Sequence, residues 1–242
     1  MSLSKNQLKL ITSLQQKKYR AKYNLFIAEG TKVVQEFLNS NFELEQLFCL
    51  DNSVYKNYEK ATLINELELK KISSLKTPNN VVALFKIPNT KPLLNKGLIV
   101  VLDTINDPGN LGTIIRLCDW FGVAQLVCST TTVDCYNSKV VQASMGSLTR
   151  VSIVYTTLEA FLKNTSLPKY ATLLNGKNVY KSKLPKNAVL VMGNEANGIN
   201  EELLKFVNHH LTIPRFGNLQ QTESLNVATA TAILLSEFKR TT

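Results

Sequence analysis

The chain has 242 residues, of which 44% are hydrophobic and 19% are charged. This balance is typical of a globular protein with one or two domains, and it excludes a disordered or collagen-like chain. Lysine and arginine outnumber aspartate and glutamate by 28 to 18, so the net charge is +10, which favours a polyanionic partner.

The sequence carries none of the usual signals of membrane, secreted or zinc proteins. No apolar run approaches the roughly 18–20 residues of a membrane span, and the first residues lack the apolar core and cleavage site of a signal peptide. The four cysteines form no CxxC pair, and the only histidines are the adjacent His209 and His210. We therefore predict a reduced, cytoplasmic protein with no metal site and no membrane segment.

The first half of the chain predicts a small α/β domain, because helical and strand-like patterns alternate along it. Helical spacing covers residues 4–14, 31–39 and 66–75, and apolar strand patterns cover 25–28, 44–50 and 81–86. Proline and glycine then appear among polar residues near position 90, and this composition is typical of a linker. We place an N-terminal domain at 1–88, a linker at 89–97 and a C-terminal domain at 98–242.

Positive charge is concentrated at the start of the first domain. No acidic residue precedes Glu29, whereas a basic run contains Lys17, Lys18, Arg20 and Lys22. Such a run fits contact with nucleic-acid phosphates, but it fits a solvated basic surface equally well.

The second half predicts a parallel sheet covered by helices on both faces, because nearly continuous apolar strands alternate with helical segments. The predicted strands are 98–102, 124–128, 151–155, 170–174, 188–192 and 211–213, and the predicted helices are 111–120, 138–145 and 224–239. Ligands of such sheets bind at the carboxyl ends of the strands.

Three polar, glycine-containing segments follow strands at this edge: residues 106–116, 193–198, and 213–217 with its continuation to 227. They would bring together Asn110, Arg116, Glu195, Ser224 and Asn226. Each also has a structural explanation, since Asn110 and Ser224 could cap helices, Arg116 could form a surface ion pair, and the glycines could serve turns. The chain has no GxGxxG, P-loop or GxSxG motif, which disfavours common dinucleotide, NTPase and hydrolase sites.

Three segments carry a resemblance to a known family: NDPGNLGTIIRLCDWFG, VMGNEANGI and IPRFGN…ESLNVATATAILL. Taken together, they resemble the three signature motifs of the SpoU (TrmH) family of RNA ribose 2′-O-methyltransferases, in the SPOUT superfamily. Residues 7–38, which include the basic run, resemble the substrate-binding domain of the same family, which is related to the ribosomal L30e fold. The resemblance implies an α/β C-terminal domain with a parallel sheet and a trefoil knot, S-adenosylmethionine as methyl donor, and a homodimer formed through the C-terminal domain.

The resemblance also implies roles for individual residues. Gly193, Ile213 and Leu225 match cofactor contacts, with Thr172 and Leu173 beside the adenine. The catalytic set is Arg116, Asn110, Glu195, Ser224 and Asn226. Arginine holds its proton tightly, so Arg116 is expected to bind a substrate phosphate or stabilise alkoxide charge, and it could act as a base only if its proton were withdrawn locally.

The separate N-terminal domain favours ribosomal RNA, most readily that of the large subunit, over tRNA, because the simplest tRNA-modifying members lack such a domain. Three alternatives remain open at this point: a tRNA methyltransferase, a non-catalytic RNA-binding protein on the same scaffold, and an α/β enzyme that uses another nucleotide cofactor.

Overall fold

A computed structural model describes residues 3–194, 196–219 and 224–240 of the chain. These residues form two compact units, each with its own sheet. The first unit contains Met1–Asn89 together with Asp134–Thr149, and the second contains Thr90–Val133 together with Arg150–Thr242.

The first unit is an α/β structure with a four-stranded mixed sheet in the order β1-β4-β2-β3. Strand β4 pairs antiparallel with both β1 and β2, and β3 pairs parallel with β2. Its elements are α1 (Lys5–Ser13), α2 (Lys17–Tyr23), β1 (Leu25–Glu29), α3 (Thr31–Leu38), β2 (Leu44–Cys49), β3 (Ala61–Leu63), α4 (Glu66–Ile72) and β4 (Val81–Lys86), with α6 (Ser138–Ser144) from the later segment.

Alternating side chains of β1 explain how this sheet is covered. Ile27 belongs to an aliphatic cluster that includes Ile11 of α1 and Leu69 of α4. Its neighbour Phe26 packs instead against an aromatic cluster, with ring centroids 5.3 Å from Phe37 and 6.0 Å from Phe85. Successive strand residues point to opposite faces, so all five residues of β1 are buried.

The segment 134–149 completes the first unit although it comes from the second half of the sequence. The Tyr136 ring lies 4.8 Å from that of Phe26, and α6 packs against β1. Asp134 accepts a 2.8 Å hydrogen bond from Nε of Arg20, whose Nη1 also donates to the carbonyls of Leu14 and Gln15.

This arrangement corrects the expectation that Arg20 contacts RNA phosphates. Its side chain is only 3% exposed and is committed to Asp134 and two carbonyls. Lys17, Lys18 and Lys22 of the same helix are exposed. A local run of like charges did not reveal the difference, because the anionic partner of Arg20 lies 114 residues away along the chain.

The second unit is built on a six-stranded sheet in the order β10-β8-β9-β5-β6-β7, and every pairing in it is parallel. This confirms the predicted parallel α/β sheet. Its elements are β5 (Leu98–Leu102), α5 (Pro108–Trp120), β6 (Gln125–Ser129), β7 (Ile153–Thr156), α7 (Leu158–Asn164), β8 (Lys169–Asn178), β9 (Ala188–Met192), α8 (Glu201–Leu204), β10 (His209–Thr212) and α9 (Val227–Arg240).

Strands β5, β6 and β9 are fully buried, as continuous apolar runs in a two-sided parallel sheet require. Two helix starts differ from the sequence prediction. Helix α5 begins earlier, because Asp107 caps it and Pro108 fits the first helical position. Helix α9 begins later, because the carbonyl oxygen of the Asn226 side chain accepts from the amides of Ala228 and Thr229.

Within the described residues, no helix is long and apolar enough to span a bilayer. The same residues hold no cluster of three or more histidine, cysteine or acidic side chains suited to a metal ion.

The buried Arg20–Asp134 pair leads to a stability prediction. Arg20→Ala leaves the Asp134 carboxylate partly buried without its cation, and we expect a loss of about 3–5 kcal/mol in the free energy of unfolding, measured by urea denaturation of the full chain. Lys17→Ala, on the exposed side of the same helix, should change the free energy of unfolding by less than about 0.5 kcal/mol. Equal effects of the two substitutions would contradict a structural role for Arg20.

Candidate active site

The carboxyl ends of the six parallel strands lie at one edge of the second unit's sheet. The loops that follow β5, β9 and β10 begin there, and these loops contain most of the site residues predicted from the sequence. Strands β5 and β9 are direct neighbours, with Leu102 opposite Met192. The segments from Asp103 and from Gly193 therefore leave the sheet side by side.

The turn after β5 is held by side chains from both neighbouring loops. Thr104 adopts φ +57°, a left-handed conformation that is costly for a β-branched residue, about 1–3 kcal/mol. Its amide donates to the Ser129 hydroxyl at 3.0 Å, and its own hydroxyl lies 2.9 Å from that of Thr131. The carbonyl of Thr104 accepts a 2.7 Å hydrogen bond from the Asn194 side chain.

The loop after β9 closes on its own backbone. Asn194 and Gly198 exchange two backbone hydrogen bonds of 2.8 and 2.9 Å, and the carbonyl oxygen of the Asn194 side chain accepts from the amide of Ala196. A Cβ atom on Gly193 would lie 2.3 Å from the carbonyl carbon of Gly198, which is too close for any side chain. Gly193 is therefore required by the closure of the loop, in addition to any contact with a ligand.

The first and third motifs meet through two asparagines. The Asn226 side chain donates to Oδ1 of Asn110 over 2.9 Å while its own Oδ1 caps α9. The amide of Asn110 donates to the Asp107 carboxylate at 2.7 Å. One hydrogen-bonded chain thus connects the start of α5 to the start of α9 and confirms that these motifs lie together.

Two of the predicted cofactor residues lie in the middle of β8, where its pairing with β10 is interrupted. Thr172 and Leu173 are half-buried, and they lie within a break at which β10 shifts its partner on β8 from Ala171 to Lys177. In the described part of the chain, no residue of β9 or β10 is in register with residues 172–176. The hydroxyl of Thr212 donates to the carbonyl of Leu174 at 3.1 Å, so the displaced segment stays beside the end of β10.

Two further predicted cofactor residues differ in exposure. Ile213 is half-buried directly after β10, whereas Leu225, next to Asn226, is 47% exposed. An apolar side chain with that exposure at the rim of a polar loop is available to cover an apolar part of a ligand.

Arg116 lies on the exposed side of α5, on the same face as Thr113 and Trp120. Among the described residues it makes no hydrogen bond or ion pair, whereas Asn110 of the same helix accepts from the Asn226 side chain. Ser224 is exposed and does not cap α9, which is the role of Asn226. Glu195 lies outside the described residues.

The exposed guanidinium of Arg116 is the charged group of α5 best placed for a ligand.

Burial raises the pKa of the nearby Cys118 thiol far above its usual range, with a smaller contribution from Asp119. Cys118 is therefore a protonated, buried side chain and does not serve as a nucleophile.

Sequence reasoning missed Asp103, Thr104 and Asn194 as site residues. The Asp103 carboxylate accepts from the amide of Asn200 at 2.8 Å and from the Thr104 hydroxyl at 3.0 Å, so it organises both the β5 and β9 loops. Their position in the sequence could have identified them, because polar residues directly after buried parallel strands lie at the edge of the sheet where ligands bind.

Two family models match the chain. The SpoU rRNA Methylase family matches residues 97–236, and the MRM3-like substrate binding domain matches residues 5–83. Across 241 residues, the chain is 31% identical to 23S rRNA (guanosine(2553)-2′-O)-methyltransferase RlmP of Bacillus subtilis strain 168, with 96% of each protein covered.

Solved structures agree over the full length. A TrmH-family protein from Porphyromonas gingivalis superimposes with a TM-score of 0.91 at 36% identity, with 99% of each chain covered. An AdoMet-bound rRNA methyltransferase from Sinorhizobium meliloti has a TM-score of 0.87 at 30% identity, covering 99% of this chain and 97% of that one.

Gly193 can be tested against a matched glycine of the third motif. Gly193→Ala places a methyl group against the backbone of Gly198, and we expect a loss of about 1–3 kcal/mol in the free energy of unfolding. Gly217→Ala meets no described atom within 4 Å and should be nearly neutral. Thermal unfolding of the two variants tests the difference, and equal melting temperatures would contradict the close approach at Gly193.

Proposed function

This chain belongs to the SpoU rRNA methylase family, and we propose that it transfers a methyl group from S-adenosylmethionine to a ribose 2′-hydroxyl of large-subunit rRNA. The observation that carries this proposal is a pair of hydrogen bonds at one sheet edge. Asn194 of the second motif donates to Thr104, two residues before the first motif, and Asn226 of the third motif donates to Asn110 of the first.

The residues present fit the cofactor. The register break leaves residues 172–176 without backbone partners in register on β9 or β10 among the described residues, and Asn194 and Gly198 close the next loop by two backbone hydrogen bonds. Thr172, Leu173 and Ile213 would hold the adenosine part of the cofactor, and Leu225 would cover it. When bound, S-adenosylmethionine supplies a methyl group already activated by the sulfonium charge.

The remaining task of the chain is to orient the ribose hydroxyl and to manage its proton. We assign to Arg116 the binding of a substrate phosphate or the stabilisation of negative charge on the 2′-oxygen, because its planar guanidinium is exposed and uncommitted among the described residues. Asn110 and Asn226 act as positioning residues, because their hydrogen bond joins the start of α5, the helix that carries Arg116, to the start of α9. Glu195 and Ser224 keep the catalytic roles that the family resemblance implies.

The first unit would recognise the RNA, as an L30e-like substrate-binding domain. On α2, Nζ of Lys18 lies 4.9 Å from the centroid of the Tyr19 ring, and Nζ of Lys22 lies 5.3 Å from that of Tyr23. Together with Lys17, these exposed cations would contact phosphates, and the half-exposed tyrosines would offer stacking surfaces.

The proposal includes a trefoil knot in the second unit. Strand β10 lies at one edge of the sheet, yet α9, the next helix, packs against α5, which follows the central strand β5. In the proposed knot, the chain between β10 and α9 would pass back across the loops that follow β8 and β9. A Cβ atom on Gly176 would lie 2.4 Å from the backbone of Leu211, which shows how closely β8 and β10 approach there.

The proposed homodimer forms through the same unit. Trp120 at the end of α5 is 84% exposed, and tryptophan is enriched among the residues that anchor protein interfaces. Arg116 lies on the same exposed face of α5, so its guanidinium would lie beside the interface of the proposed dimer.

Loss of the guanidinium is the sharpest test of the chemistry. Arg116→Ala should reduce single-turnover transfer of labelled methyl groups to rRNA by at least about 100-fold, the scale of one charge-stabilising group. Arg116→Lys should not restore the rate, because an ammonium group lacks the planar pair of donors.

Two controls accompany this measurement. The affinity for S-adenosylmethionine, determined by calorimetry, should change little in Arg116→Ala. The free energy of unfolding should change by less than about 1 kcal/mol, since the side chain is exposed. Near-normal methyl transfer by Arg116→Ala would remove this residue from the mechanism.

Substitution of Trp120 tests the dimer. Trp120→Glu should convert the protein from dimer to monomer in sedimentation experiments at micromolar concentration, because it removes a large anchoring ring and places an unpaired charge where the partner copy would bind. Leu67→Glu changes a 73% exposed leucine of the first unit and should leave the dimer intact. A wild-type chain that sediments as a monomer would refute this assembly.

A further inference from the structure

A groove of about 710 Å³ lies along the edge of the sheet in the second unit, where β8 and β10 meet. We call it the edge groove, and its principal side chains are those of Tyr170, Lys177, Lys181, Lys183, His209 and His210. None of these residues belongs to the three motifs.

The edge groove is cationic. Lys177, Lys181 and Lys183 are exposed, and none of them forms an ion pair with a described carboxylate. By contrast, Lys205 of the same unit is paired with Glu202 at 2.6 Å. No acidic residue is among the described residues that line the groove, so its positive charge is uncompensated and available to an anionic ligand.

The groove also carries an ordered aromatic surface. The exposed His209 ring stacks on Tyr170, with centroids 4.6 Å apart and 23° between the ring planes. Tyr170 is itself buried and held by the edge of Phe238, whose centroid lies 5.5 Å away. The imidazole is thus fixed from behind, which reduces the entropic cost of stacking another ring against it.

The backbone brings β8 and β10 close together at the groove. At Gly176 any side chain would collide with the backbone of Leu211, so the β8 segment can lie close to β10 only with glycine here. The partner shift at Leu211 then brings Lys177 into register with β10. Lys177 is therefore positioned in the groove by a specific irregularity of the sheet.

We propose that the edge groove binds a single-stranded segment of the RNA substrate, with its phosphates on Lys177, Lys181 and Lys183 and a base stacked on His209. Lysines beside a fixed aromatic ring match the alternation of phosphate and base along a strand. An acidic protein segment would use the lysines but would have no use for the ring. The inference rests on the proposed function, and it adds a second RNA contact, on the catalytic unit itself.

The lysines are tested by the salt dependence of binding to a 20-nucleotide oligouridylate, followed by fluorescence anisotropy. Three phosphate contacts contribute about 2 to the slope of log affinity against log salt, at about 0.7 for each contact with a single strand. The variant with Lys177, Lys181 and Lys183 all changed to Ala should lose that amount. In the matched control, three exposed lysines of the same unit, Lys91, Lys96 and Lys163, are changed to Ala. This variant should keep the wild-type slope of log affinity against log salt.

The His209 ring is tested in separate variants that keep all three lysines of the groove. His209→Ala should weaken oligouridylate binding by at least about 5-fold, the lower end for loss of one stacked base, whereas His209→Phe should restore it. Polyglutamate serves as the competing probe for a protein partner. Its binding should be weak and should respond to the lysine variant but not to His209→Ala.

An unchanged slope in the lysine variant, or an equal loss in both triple variants, would overturn the proposal. So would a failure of the wild-type chain to bind oligouridylate, or polyglutamate binding tighter than oligouridylate binding. Methyl transfer to rRNA by the wild-type chain is measured alongside. If the wild-type chain transfers methyl groups but the lysine variant keeps the wild-type salt slope, RNA binding by the edge groove is rejected and the proposed function stands. If the wild-type chain transfers no methyl groups to rRNA, the proposed function is rejected.

Discussion

The parallel pairing of β5 with β9 is the constraint on which the site depends. Five residue pairs in register, from Leu98 with Ala188 to Leu102 with Met192, bring two buried strands to the same edge. The next residues, Asp103 and Gly193, therefore begin two loops that cannot separate. The backbone amide of Asp103 donates to the carbonyl of Met192, which continues the pairing into the loops.

Thr104 adopts a strained backbone conformation, and this conformation helps to hold the two loops together. Its left-handed backbone points the carbonyl to the side chain of Asn194, and hydroxyl groups from the β6 end hold it there. A conformation supported from several sides is preorganised, so little free energy is needed to order the loops when a ligand binds. Arg116 is in contrast left free of described partners, as befits a group that is to meet the negative charge of a substrate.

The sequence allowed the fold class of the second unit and the meeting of its motifs to be predicted, because buried parallel strands and their ends follow simple rules. The side-chain roles were less predictable. Asn226, rather than Ser224, caps α9. Which of the two residues reaches the capping position depends on the tertiary structure around the start of the helix. The burial of Arg20 depends on Asp134, and the packing of residues 134–149 with the first unit depends on contacts such as Tyr136 with Phe26. Contacts between distant parts of a chain leave no local pattern.

The chemical position of the transferred methyl group tests the central claim most directly. Large-subunit rRNA from cells that lack this protein is incubated with the protein and S-adenosylmethionine labelled in the methyl group, then hydrolysed in alkali. Since alkaline cleavage requires a free 2′-hydroxyl, a methylated ribose protects the adjoining phosphodiester bond. The account predicts that the label appears in alkali-resistant dinucleotides. Label in mononucleotides, which would mark a methylated base, or no transfer to rRNA would contradict it.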